Sequence, residues 1–183
     1  SSDQLSALKT TQIQALTSSQ LGAISTTNLQ ALSANQISVL ETRDLVGLST
    51  DQMSALTAKQ VGTLSTAQVA AMTTTTIQAL ESADVIALTT AQINALTSTQ
   101  VGALTTGQVK ALALDDVASM GTAQLKGLST TQIGAMTVTQ LNAFTTTEVA
   151  ALSTDQVKGL SKTQVTGLSE TNLKALSTAQ VAA

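Results

Sequence analysis

Carboxylates fall close together at Glu41 and Asp44 and again at Glu81 and Asp84, and Asp115, Asp116 and Asp155 add more. A hard cation such as Ca²⁺ collects carboxylate and carbonyl oxygens, so a weak Ca²⁺ site is the chemistry these residues offer. Their spacing matches neither the EF-hand loop nor the glycine-rich Ca²⁺ nonapeptide. An acid in the first turn of a helix is also favoured by the dipole's positive end, which accounts for them without a metal. Lys110, Lys126, Lys158 and Lys174 read as a solvated face rather than a basic ridge, because acids lie nearby and the net charge is -3. Hydroxyls are dense at Thr73–Thr76 and Thr145–Thr147, but the chain has no His and no Cys. An imidazole base, a Ser-His triad, a thiolate nucleophile and a Cys-based zinc site are therefore all excluded. Nearly every stretch carries the same hydroxyls, so none is singled out as a nucleophile. The expectation is no catalytic, cofactor-binding or metal-binding residue, and no enzyme.

These residues sit on one octapeptide repeated along the whole chain. Written in rows of eight from Ser1, the 183 residues give 22 complete octads and a seven-residue remainder, with no insertion or deletion. The consensus is [Ser/Thr]-[Ser/Thr]-x-Gln-[Val/Ile/Leu]-x-[Ala/Gly]-Leu. Position 5 is aliphatic in every row except where Met53 replaces it, and position 8 is Leu, Ile, Met or, once, Phe144. Met53, Met72, Met120 and Met136 all occupy these apolar positions and read as core. No linker or composition shift divides the chain, so residues 1–183 are expected to form one continuous array without an internal boundary. A weaker 40-residue echo overlies the octad: Gly22, Gly62 and Gly102 fall at that interval, as do Glu41 and Glu81.

Most rows open with a helix-start signal. Ser or Thr followed three residues later by Gln is the capping box, and the apolar residues just before and four after the cap are a hydrophobic staple. Leu96-Thr97-Ser98-Thr99-Gln100-Val101 shows both devices. A new cap every eight residues leaves about six residues of helix per row, far below the ~12 at which an isolated helix becomes marginally stable. Neighbouring rows must hold them. One long helix is excluded, because eight residues advance about 800° and the apolar stripe would drift about 80° per row. In a strand, positions 5 and 8 would point to opposite faces, which weighs against a β-solenoid, although Thr, Val and Ile favour strands; that fold and a disordered chain are the alternatives. Odd and even rows do not differ in composition. The expected fold is all-α: a solenoid of short capped helices, one per octad, with positions 5 and 8 inside, position 7 permitting close approach, and positions 2, 3 and 6 in water. On this reading Gln at position 4 is a capping residue, and its loss costs about 1 kcal/mol.

No run of about 18 apolar residues exists for crossing a membrane, and Ser1-Ser2-Asp3-Gln4 lacks a signal peptide's basic and apolar regions. The eight basic residues are spread too thinly for nucleic acid. Ala-Leu-Thr-Thr-Ala-Gln-Ile (87–93), Ala-Leu-Thr-Thr-Gly-Gln-Val (103–109) and Ala-Leu-Ser-Thr-Asp-Gln-Val (151–157) resemble short repeats of giant bacterial cell-surface or secreted adhesin-like proteins, some loosely labelled haem-utilisation proteins. The resemblance covers the whole chain. It implies an extracellular stalk, spacer or fibre-forming segment, and it does not carry over haem binding, since no His, Tyr or Cys is present to ligate iron. A binding role for the repeated Thr/Ser/Gln face, toward ice or a surface polymer, is the alternative. The first and last rows are ordinary rather than polar caps, so the chain reads as a fragment that meets neighbouring repeats of a longer chain, or as a subunit expected to associate end to end.

Overall fold

A computed structural model describes residues 1–183. Every row forms one helix of four to six residues, from α1 (Ser2–Ser6) to α23 (Thr178–Val181), and no strand forms anywhere. The short-helix reading therefore holds and the β-solenoid does not. The local cause is the cap. In α13 (Ser98–Ala103), the Thr97 hydroxyl accepts from the Gln100 amide at 3.2 Å, and Gln100 Oε1 accepts from the Thr97 amide at 2.8 Å. The helix stops because the next cap begins: Leu104 is already extended at φ -55°, ψ 139°, followed by Thr105 at φ -70°, ψ 159°. No residue has positive φ, so each row ends without a left-handed glycine.

The chain comprises two compact units, Ser1–Ala95 and Leu96–Ala183. Each is wound in the same way. In the first, α8 (Ala58–Gly62) packs on α11 (Ser82–Ala87); in the second, α13 packs on α16 (Thr122–Gly127) and α14 (Thr106–Ala111) on α17 (Thr130–Ala135). Each row thus lies against the row three further on, in even and odd rows alike. The interior is built from positions 5 and 8. Val61, Val69 and Val85 in the first unit and Val101, Val109 and Val117 in the second are wholly buried, with Leu64, Leu104 and Leu112 beside them. Burying an aliphatic side chain contributes about 1.5–3 kcal/mol, and this, rather than helix propensity, stabilises pieces of one and a half turns.

Glycine marks the closest backbone approaches, which fall at position 6 as well as at position 7. A Cβ on Gly62 would lie 2.7 Å from the Ala87 carbonyl oxygen; on Gly102, 2.6 Å from that of Gly127; on Gly134, 2.6 Å from that of Gly159. Position 7 of the upper row is close in turn, since a Cβ on Gly127 would strike the Ser98 carbonyl. Position 6 still faces water in most rows, Gly102, Lys110, Lys126 and Gly134 included, and glycine there leaves room for the carbonyl of the row three further on.

Candidate functional site

The one arrangement of polar groups repeated through both units is centred on position 4. Gln132 opens α17, three residues after its cap, Ser129. Its Oε1 accepts from the Ser129 amide at 2.6 Å, completing the capping box. Its Nε2 donates across the array to the carbonyls of Leu104 at 2.6 Å and Val101 at 3.1 Å, with Gly102 at 3.3 Å. These are positions 8, 5 and 6 of the row four back, at the end of α13, where the Val101 carbonyl also accepts from the Leu104 amide at 3.2 Å. One side chain thus caps the start of its own helix and the end of another.

The motif recurs in register. In the first unit Gln36 reaches Leu5 and Leu8, Gln52 reaches Leu21 and Ile24, and Gln60 reaches Leu29 and Leu32. In the second, Gln140 reaches Val109 and Leu112, Gln156 reaches Leu125 and Leu128, and Gln180 reaches Val149 and Leu152. These glutamines are buried. Burial of an amide is tolerated because both its oxygen and its nitrogen are hydrogen-bonded. Each unit therefore returns on itself between the third and fourth row, at about 28 residues, the offset of the bond to position 8. The capping half of this role was legible in the sequence. The cross-row half was not, although one signal for it exists: Glu would serve a capping box and the helix dipole at least as well, so the persistent amide points to a use for its two N–H groups.

Acids replace Gln at position 4 in four rows, and there they are buried: Asp44, Asp84, Asp116 and Glu148. Asp44 accepts from the Ser18 hydroxyl at 2.6 Å, and the Arg43 guanidinium lies 3.6 Å from it and 3.0 Å from Glu41. The first carboxylate pair thus faces a cation of the chain itself. Asp84 accepts from the Glu81 amide at 2.8 Å. Burial pushes the Asp84 carboxyl above its ordinary range; the bond from Glu81 lowers it, and the Glu81 charge adds to the rise. Asp115 and Asp155 are exposed, Asp155 lying 3.6 Å from Lys158. The structure does not bring the acidic rows into a common cluster of three or more ligand residues.

The other singled-out residues have simpler places. Met53, Met72, Met120 and Met136 are buried in the core, as is Phe144. Lys110, Lys126, Lys158 and Lys174 are exposed, and Lys174 pairs with Glu170 at 2.5 Å. Thr73–Thr75 and Thr145–Thr147 are exposed; Thr76, at position 4, is buried and donates to the Thr73 carbonyl. Position-1 hydroxyls are committed to capping, and positions 2 and 3 carry further hydroxyls, of which Ser18 donates to Asp44 and Thr130 to the Asp155 carbonyl. No helix is long and apolar enough to cross a membrane.

Among known protein families, the ALTTAQ repeat matches five segments, residues 1–34, 37–74, 77–114, 109–146 and 140–170. Among curated proteins, none matches the chain.

Proposed function

The chain belongs to the ALTTAQ repeat family, and from that premise we propose that it is a non-catalytic structural element, a spacer or stalk whose task is to hold a fixed distance. The observation that supports this reading most is the position-4 ladder. The same donor and acceptors recur along the array, so each added octad is bonded to the row four before it, and length is converted into reach at a constant rate. Side-chain chemistry is spent inward on this ladder, and what faces water is Ser, Thr and scattered charge.

The setting proposed is a bacterial cell-surface or secreted protein. It is supported by the likeness of the Ala-Leu-Thr-Thr-Ala-Gln phrases to repeats of giant adhesin-like proteins. Surface labelling of intact cells that produce the native protein tests it, and a chain reached only after lysis would oppose it. The spacer role is tested by a length series. In chains extended by whole octads, the maximum dimension from small-angle scattering should rise by equal steps per octad, while growth as the square root of length would refute it. A second reading, binding of ice or a surface polymer, is favoured by the exposed Thr73–Thr75 and Thr145–Thr147 runs. A thermal-hysteresis assay separates them, since a passive spacer gives none.

A further inference from the structure

The glutamine ladder of the first unit lacks two neighbouring rungs. With rows counted from Ser1, row 10 opens at Thr73 and row 11 at Glu81. Their position-4 residues are Thr76 and Asp84, both buried, at 4% and 3% exposure. Thr76 spends its hydroxyl in its own row, donating to the Thr73 carbonyl at 2.9 Å. Asp84 accepts from the Glu81 amide at 2.8 Å through Oδ2, and its Oδ1 accepts no hydrogen bond. Neither side chain donates to the row four back. There the Leu48 and Leu56 carbonyls accept no hydrogen bond, and both residues are buried. The matching carbonyls of rows 3, 4 and 8 are served by Gln52, Gln60 and Gln92 at 2.8, 2.7 and 2.5 Å. Row 6 is also without a glutamine, but its Asp44 takes the Ser18 hydroxyl of row 3.

What remains across this seam is apolar packing, of α10 (Thr74–Ala79) on α7 (Thr50–Ser54) and of α11 on α8, with Ile77, Leu80, Val85 and Leu88 inside. Buried carbonyls without donors weaken the closed state, and opening hydrates them. We propose that local opening of the first unit begins between rows 6–7 and rows 10–11, and that a proton on Asp84 closes this seam. Protonated on Oδ1, the carboxyl acquires the O–H that a rung needs. A side chain of this length spans the gap when it has a donor: Asn172 Nδ2 reaches the Leu141 carbonyl, position 5 of the row four back, at 3.2 Å. Met53 is the corresponding residue for Asp84. Burial raises the Asp84 carboxyl above its ordinary value, the Glu81 amide lowers it and the Glu81 charge adds to the rise. The proton therefore arrives at a higher pH than on an exposed aspartate. Of the neighbouring elements, α8 brings Lys59 and row 7 brings Asp51, both exposed, while rows 10 and 12 bring no charge. In a spacer under tension the seam is where extension begins; that consequence rests on the spacer reading, and the seam itself does not.

Hydrogen exchange followed by mass spectrometry on the full chain tests this, at neutral and mildly acidic pH and corrected for the intrinsic rate of exchange. At neutral pH the segments 49–56 and 81–88 should open at least about tenfold more readily than 57–64, whose carbonyls Gln92 serves. Acidification should bring them toward 57–64. Asp84→Asn carries a donor at every pH, so both segments should already be protected at neutral pH and should not respond to acid. Thr76→Gln should protect 41–48 and 73–80 and leave the acid response of 49–56 in place. Equal opening of all these segments in the wild type, a wild type without an acid response, an Asp84→Asn chain that opens as the wild type does at neutral pH, or a Thr76→Gln chain without added protection would overturn the proposal. If Asp84→Asn loses helicity, the wild-type segments and their acid response decide. An overturned seam would leave the spacer reading standing, since that depends on the length series.

Discussion

Replacing Gln132 with Ala separates the two jobs assigned to position 4. If the residue were only a cap, its loss would cost about 1 kcal/mol. In the structure it also supplies both amide hydrogens to the Leu104 and Val101 carbonyls, with Gly102 sharing at a longer distance. Leaving buried acceptors without a partner costs about 1–3 kcal/mol each. The Val101 carbonyl keeps the Leu104 amide at 3.2 Å, so one orphaned acceptor, Leu104, plus the lost cap gives about 2–4 kcal/mol. Ser129→Ala is the internal control, because it removes only the bond from the Gln132 amide to the Ser129 hydroxyl, 3.2 Å, in the same row, at about 1 kcal/mol. Hydrogen exchange followed by mass spectrometry reads the opening free energy of the segments 101–104 and 129–132 in each variant. Gln132→Ala should destabilise both segments, 28 residues apart, and Ser129→Ala mainly the second. If the two substitutions lower protection equally and only locally, glutamine is a cap and nothing more, and the ladder reasoning fails.

Leu104→Asp should cost roughly 3 kcal/mol or more, because Leu104 is buried and the new charge would have no partner; a thermal melt unchanged from wild type would remove position 8 from the core. Gly102→Ala should destabilise by about 1–3 kcal/mol, since its Cβ would press on the Gly127 carbonyl. Gly22→Ala, with nothing within 4 Å of its Cβ, should instead gain about 0.5–1 kcal/mol from helix propensity, and urea titration checks the opposite signs. Asp84 holds its proton more tightly in the folded chain than its ordinary value of 3.8. Its contribution therefore improves as pH falls through the raised folded value toward 3.8 and worsens as pH rises. Asp84→Gln should raise the melting temperature at neutral pH and by less at mildly acidic pH; an equal gain at both would refute the burial argument. Inserting one whole consensus octad between Leu104 and Thr105 should preserve helicity and melting temperature by circular dichroism, and inserting half an octad should lower both, because only the whole octad keeps positions 5 and 8 in phase.

The row pattern, the caps at position 1 and the apolar pair at positions 5 and 8 were legible because each is local, readable from one octad such as Thr97–Leu104 and its neighbours. What was not legible depends on winding. Which row meets which is set by how far the extended link at positions 8 and 1 turns the chain between helices, and no single residue encodes that angle. Gly102 therefore reads as a water-facing position, which it is, while its close approach to the Gly127 carbonyl is not legible. Asp44 and Asp84 likewise read as ordinary first-turn acids, since nothing in the octad shows that position 4 is covered by another row. The lysines and methionines were legible as individuals because their positions in the octad already separate core from surface.

The central claim is that the amide of each internal position-4 glutamine is shared between its own row and the row four back. Side-chain amide resonances in a nuclear magnetic resonance spectrum test this directly. The Nε2 protons of Gln132 and Gln140 should exchange slowly with solvent and show through-space contacts to residues 101–104 and 109–112, while those of Gln12 should exchange at the rate of a free glutamine. Equal, fast exchange at all three glutamines, with no contact to the row four back, would contradict it.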